Sequence, residues 1–145
     1  MALLESLHYS GGTGLFELAV TGGNQFITTA NQIVLQQPYG ALIVSGNLFF
    51  VQSNCSVIYI DAAGQQNSIV NNLFTGVSPS TPGAFGIYVS TSDPTGVVTG
   101  NTFTSLGTGV DLIGTSNWNV QANSYSGGTT PVSNVGTNLV GVATK

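Results

Sequence analysis

From Leu15 onward the chain is written in short apolar runs of Val, Ile, Leu, Phe and Thr, bounded by Gly, Asn, Ser and Pro. Runs of that length and composition predict strands. They fall over 15–20, 26–29, 32–36, 41–44, 48–51, 57–61, 68–70, 73–75, 86–90, 96–99, 102–105, 110–113, 118–120 and 124–126. The first fourteen residues differ. Ala2, Leu3, Leu4 and Leu7 have helix-like spacing, and the glycine-rich stretch from Ser10 to Gly14 stops any helix there. The expectation is a short arm or cap over 1–14 and no useful helix beyond it.

One six-residue phrase occurs four times. It reads VSGNLF from Val44, IVNNLF from Ile69, VTGNTF from Val98 and VQANSY from Val120. The shared template is a β-branched apolar residue, any, small, Asn, any, aromatic. Asn47, Asn72, Asn101 and Asn123 recur at spacings of 25, 29 and 22 residues. A second phrase keeps step with the first: VIYI from Val57, GIYV from Gly86 and GVDL from Gly109. Strand alternation places Ile58, Ile60, Ile87, Val89, Val110 and Leu112 inward and turns Tyr59, Tyr88 and Asp111 outward. A unit of this size repeated in a chain too short for several domains means stacked coils or blades.

This grammar resembles the right-handed parallel β-helix, the pectin-lyase-like superfold, over roughly residues 26–128. The resemblance implies an all-β protein whose turns stack in register at about 4.8 Å. It then places Asn47, Asn72, Asn101 and Asn123 in an amide ladder, and Phe49, Phe74, Phe103 and Tyr125 in an aromatic stack. Val44, Ile69, Val98 and Val120 become an aliphatic column. The small residues before each Asn (Gly46, Asn71, Gly100, Ala122) suit a bend of unusual φ, and Ala122 fits it least well. About five or six coils are expected over 15–128, with 129–145 as a C-terminal cap or intersubunit segment. A β-sandwich or jelly roll is the structural runner-up, because turn signals every ~8–12 residues fit it as well.

Charge narrows the function. Asp, Glu, Lys and Arg make up 4% of the chain, against about 25% in an ordinary soluble domain. Lys145 is the one Lys or Arg, and the net charge is −4. Nucleic acid is excluded as a partner because nothing neutralises its phosphates. Anionic membranes fail by the same argument, and no run reaches the ~18 apolar residues of a membrane span. The N-terminus has no basic n-region, so no secretory leader is read there. Cys55 is the single cysteine and reads as a small buried hydrophobe.

No catalytic constellation emerges. The acids on repeat strands, Asp61 and Asp111, fall two coils apart with a lateral offset. That is about 11–12 Å between backbones, beyond the ~5–9.5 Å of glycosidase pairs. Asp93 precedes a proline in a turn, and His8 lies in the arm without a partner. The expectation is therefore no enzyme, no cofactor and no metal. Tyr59, Tyr88 and Trp118 are candidate interface residues; with Tyr39 they form a sugar platform if exposed together, although such residues are more often core or interface anchors.

The resemblance extends to the short β-helices of bacteriophage tailspikes and capsid decoration proteins. It implies a structural virion protein: a decoration (cement) protein, homotrimeric, bound to the major capsid protein or another virion protein at the capsid surface rather than the tail. The alternative is a carbohydrate-binding or depolymerising tailspike fragment with a glycan partner. An ice-binding solenoid is a third reading, weakened because only Thr102-Phe103-Thr104 forms a T-x-T step.

Overall fold

A computed structural model describes residues 17–28, 33–37, 40–60, 66–77, 81–90, 95–113 and 118–133. The arm over 1–14, the segment 134–145, and His8, Tyr39, Asp61 and Asp93 lie outside the described residues.

Among the described residues, fifteen strands wind into five rungs of three. The first rung is β1 (Glu17–Thr21), β2 (Gln25–Ile27) and β3 (Ile33–Gln37). The second is β4 (Ala41–Ser45), β5 (Leu48–Val51) and β6 (Ser56–Ile60), and the third β7 (Gln66–Val70), β8 (Leu73–Gly76) and β9 (Thr81–Val89). The fourth is β10 (Thr95–Thr99), β11 (Thr102–Thr104) and β12 (Leu106–Leu112), and the fifth β13 (Trp118–Gln121), β14 (Ser124–Ser126) and β15 (Thr130–Ser133). Every third strand stacks parallel on the last. Sheet A runs β1-β4-β7-β10-β13, sheet B β2-β5-β8-β11-β14, and sheet C β3-β6-β9-β12-β15. The chain is a short parallel β-helix, not two facing antiparallel layers. β15 pairs in register with β12, so the stack continues past residue 128 into the stretch read from sequence as a cap.

The coil forms because each rung brings the same residue types to the same place. In sheet A the register is Val20↔Val44, Val44↔Ile69, Ile69↔Val98 and Val98↔Val120. From Val44 on, these side chains are at most 1% exposed. In sheet C, Ile58, Ile87 and Val110 are in register and fully buried, as are Val89 and Leu112. Sheet B sends in the aromatic column. Ring centroids step by 4.9 Å from Phe26 to Phe49, 4.9 Å to Phe74, 4.8 Å to Phe103 and 5.3 Å to Tyr125, with planes within 13° of parallel. Glycines make room for these rings. A Cβ on Gly86 would lie 2.7 Å from the Phe103 ring, and one on Gly109 2.7 Å from the Tyr125 ring.

The corner between sheets A and B carries the amide ladder. Asn47 Nδ2 donates to Asn72 Oδ1 at 3.2 Å, Asn72 Nδ2 to Asn101 Oδ1 at 3.0 Å, and Asn101 Nδ2 to Asn123 Oδ1 at 3.1 Å. The same Oδ1 atoms accept backbone N–H groups of the preceding rung at 2.9–3.0 Å. Each Nδ2 also reaches a strand carbonyl one rung back: Val20, Val44, Ile69 and Val98 in turn. One buried side chain thus satisfies the polar groups that a bend takes out of the ladder of strand hydrogen bonds.

Asn24 is a fifth member that the template does not match. Its Nδ2 donates to Asn47 Oδ1 at 2.9 Å, and Phe26 follows it into the aromatic column. Val20 is paired with Val44, yet four positions separate Val20 from Asn24 where three separate Val44 from Asn47. One extra glycine in the corner hides the match. The bend itself is left-handed at every rung: Gly46 (φ 68°), Asn71 (55°), Gly100 (68°) and Ala122 (52°).

Candidate interaction surface

The outward positions of sheet C gather an aromatic cluster. Tyr59 stacks on Tyr88 with centroids 5.4 Å apart and planes at 10°, and Phe85 meets Tyr88 at 5.3 Å and 59°. Next in register after Tyr88 is Asp111. It holds the outward register expected from the alternation but is only 4% exposed. Burial pushes the Tyr88 hydroxyl above its usual range, and the neighbouring Asp111 and Tyr59 add to that shift.

Sheet B presents a divided outer face. One outward column reads Gln25, Leu48, Leu73, Thr102, Ser124 and the other Ile27, Phe50, Thr75, Thr104, Ser126. Ile27, Leu48, Phe50 and Leu73 form an uncharged apolar half on the first three rungs. Ile27 is 49% and Leu73 39% exposed. The last two rungs carry hydroxyls, with Thr104 and Ser126 hydrogen-bonded at 3.0 Å.

Trp118 does not belong to either surface, which corrects its reading as an interface or platform residue. It is fully buried in sheet A. Gly96 is its register partner, and a Cβ there would lie 2.7 Å from the Trp118 ring. The missing side chain leaves a slot inside the prism, and the indole fills it. Beside it, Asn67 is 3% exposed, accepts the Leu42 N–H at 3.1 Å and donates to the Thr95 carbonyl at 3.1 Å. Cys55 is buried, with Sγ 3.5 Å from Thr28 Oγ1.

The sequence reading found Tyr59 and Tyr88 but missed Phe85 and the sheet B patch. Their signal was present in the "any" positions of the repeat. Read with period two, the residue after each Asn and the residue after each aromatic face outward. They change from apolar to hydroxyl down the column.

Fold and surface together define a class: a small, low-charge parallel β-helix whose outer sheets display apolar and aromatic strips. A family model described as NosD, periplasmic copper-binding protein, matches residues 6–143, and the chain belongs to that family. No curated protein and no solved structure matches the chain significantly.

Proposed function

We propose that the chain is a non-enzymatic structural component of a virion, a decoration protein that binds a capsid shell as a homotrimer. The observation that carries this reading is the apolar half-face of sheet B. Ile27, Leu48, Phe50 and Leu73 stand on a rigid sheet with no charged residue among them. Contiguous exposed apolar strips mark interaction surfaces. A chain with one Lys and no Arg makes such contacts by burial and hydrogen bonding rather than by ion pairs.

The tyrosine cluster favours a protein partner over a glycan. Tyr59 and Tyr88 are stacked along the column, so each hides a ring face on the other and turns its edge outward. A sugar platform needs ring faces free.

Copper, which the family's description names, does not fit this chain's donor set. Copper sites are built from imidazole, thiolate and thioether groups, and the chain holds one His, one Cys and one Met. The thiol of Cys55 is closed inside the core. Among the described residues no three His, Cys, Asp or Glu side chains form a group that could hold a metal.

The test is the mass of the purified protein by light scattering, with co-sedimentation on capsid lattice. A trimer that Leu73→Glu reduces to monomers, together with binding to shells, is the expected result. A monomeric native protein that stays in the supernatant overturns the proposal.

A further inference from the structure

The amide ladder has a direction, and its two ends are complementary. At each step the backbone N–H and Nδ2 of one asparagine donate to Oδ1 of the asparagine on the following rung. The backbone distances are 3.3 Å from Asn24, 3.0 Å from Asn47, 2.9 Å from Asn72 and 2.9 Å from Asn101. Among the described residues the series runs as far as Asn123. Among the described residues its backbone N–H has no acceptor, and at the other end Asn24 Oδ1 has no donor. One end of the ladder offers what the other end lacks.

The aromatic column ends in the same way. Phe49, Phe74 and Phe103 are fully buried between neighbours, whereas the terminal rings of Phe26 and Tyr125 are only partly buried. At both ends the ring lies two residues after the asparagine, Asn24–Phe26 and Asn123–Tyr125. A rung that brings its asparagine into line also brings its ring onto the exposed ring.

Within the described end strands, little defends the edges. Natural edges are blunted by charge, especially Lys, and by Pro. The six strands of the first and last rungs hold one charged residue, Glu17, and one proline, Pro131. All three sheets are parallel, so a second copy placed with the same polarity extends each of them without reversal.

We propose that copies of this chain stack head to tail, the last rung of one on the first rung of the next. Asn123 donates to Asn24, and Tyr125 lies on Phe26. The contact joins two different surfaces and does not close on itself, so it generates linear stacks. It uses the ends of the prism and is independent of the lateral trimer proposed above.

The register supplies the test. In a stack, Ser124 of one copy sits beside Gln25 of the next at about 4.8 Å, inside the ~4.4–6.8 Å Cα window of a disulfide. Within one copy the two positions are four rungs apart, or about 19 Å. Both residues are exposed, so Gln25→Cys/Ser124→Cys leaves the fold intact, and Cys55 is shielded. The control is Gln25→Cys/Gln66→Cys, because Gln66 is exposed on sheet A of the middle rung. Mild oxidation of the concentrated full chain is followed on denaturing, non-reducing gels. Stacking gives covalent dimers, trimers and longer species about tenfold or more faster for the matched pair, because its thiols are held in register. Equal rates for the two pairs overturn the proposal, and mean that residues 1–16 or 134–145 cover the ends or that copies meet only sideways. A protein that forms matched-pair ladders but scatters light as a monomer when dilute retains the stacking and refutes the trimer.

Discussion

Replacing Asn101 by Leu keeps side-chain volume nearly constant and removes the polar centre of the ladder. In the native structure Asn101 Oδ1 accepts from the Asn72 N–H at 2.9 Å and from Asn72 Nδ2 at 3.0 Å. Its Nδ2 donates to the Ile69 carbonyl at 2.8 Å, the Thr99 carbonyl at 3.2 Å and Asn123 Oδ1 at 3.1 Å. Several of these groups keep another partner after the substitution. Asn72 Nδ2 retains the Val44 and Val70 carbonyls, Thr99 O retains the Asn71 N–H, and Asn123 Oδ1 retains the backbone N–H of residue 101. The Asn72 N–H bears the loss, while the Ile69 carbonyl stays within the parallel ladder of β7 and β10. A buried polar group left unsatisfied costs about 1–3 kcal/mol, and that is the expected cost of the substitution. For a chain of this size that lowers the melting midpoint by about 3–9 °C. The assay is reversible urea unfolding followed by far-ultraviolet circular dichroism, with a thermal melt in parallel. Asn71→Gly is the control, because Asn71 is exposed at a left-handed φ of 55° and glycine costs nothing there. A loss below about 0.5 kcal/mol for Asn101→Leu, the level of an ordinary surface substitution, would show that the ladder is not a source of stability.

Other perturbations follow from single positions. Ala122 is the one corner alanine in the left-handed region (φ 52°), so Ala122→Gly stabilises the fold by about 1 kcal/mol in the same unfolding assay. Gly96→Ala puts a methyl 2.7 Å from both the Asn67 carbonyl and the Trp118 ring. Neither neighbour can yield cheaply, and the cost is about 1–3 kcal/mol or more, read as a lower urea midpoint. Burial pushes the Tyr125 hydroxyl up to about 12 from 10.0, against a smaller opposing effect of its hydrogen bond with Asn123. The folded state therefore holds this proton more tightly than the unfolded chain. The associated stability is complete below pH 10 and is lost as pH rises towards 12. Tyr125→Phe removes that part of the alkaline loss, measured as unfolding free energy against pH alongside phenolate absorbance. Titration calorimetry with copper is expected to show no stoichiometric binding to the folded chain.

Much of the coil was legible before any coordinates. Asn47, Asn72, Asn101 and Asn123 occupy equivalent corners, and such a corner needs the same three things each time: a left-handed residue, an amide and an inward ring. A requirement repeated at every turn leaves a repeated phrase, and four copies of the phrase announce the architecture. Asn24 escaped because its corner holds one more glycine, which shifts the phrase without moving the amide out of line. Trp118 was misassigned for a different reason. An indole flanked by Asn117 and Asn119 looks like a surface anchor, and its burial depends on Gly96, a residue 22 positions earlier that lies beneath it only after one full turn.

The chain order alone determined the winding. Local rules, period-two alternation and the residue types that tolerate a bend, act within six or seven residues and are printed in the sequence. Tertiary structure decided what stands beside what between turns: which void the Trp118 ring fills, that Phe85 joins Tyr59 and Tyr88, and that the outer face of sheet B divides into apolar and hydroxyl halves. Apart from Phe85 and Tyr88, which share one strand, those neighbours are 22–29 residues apart along the chain, and loops of unequal length set their alignment. No local pattern encodes a loop's closure, so the pairing of distant side chains becomes visible only once the turns are stacked.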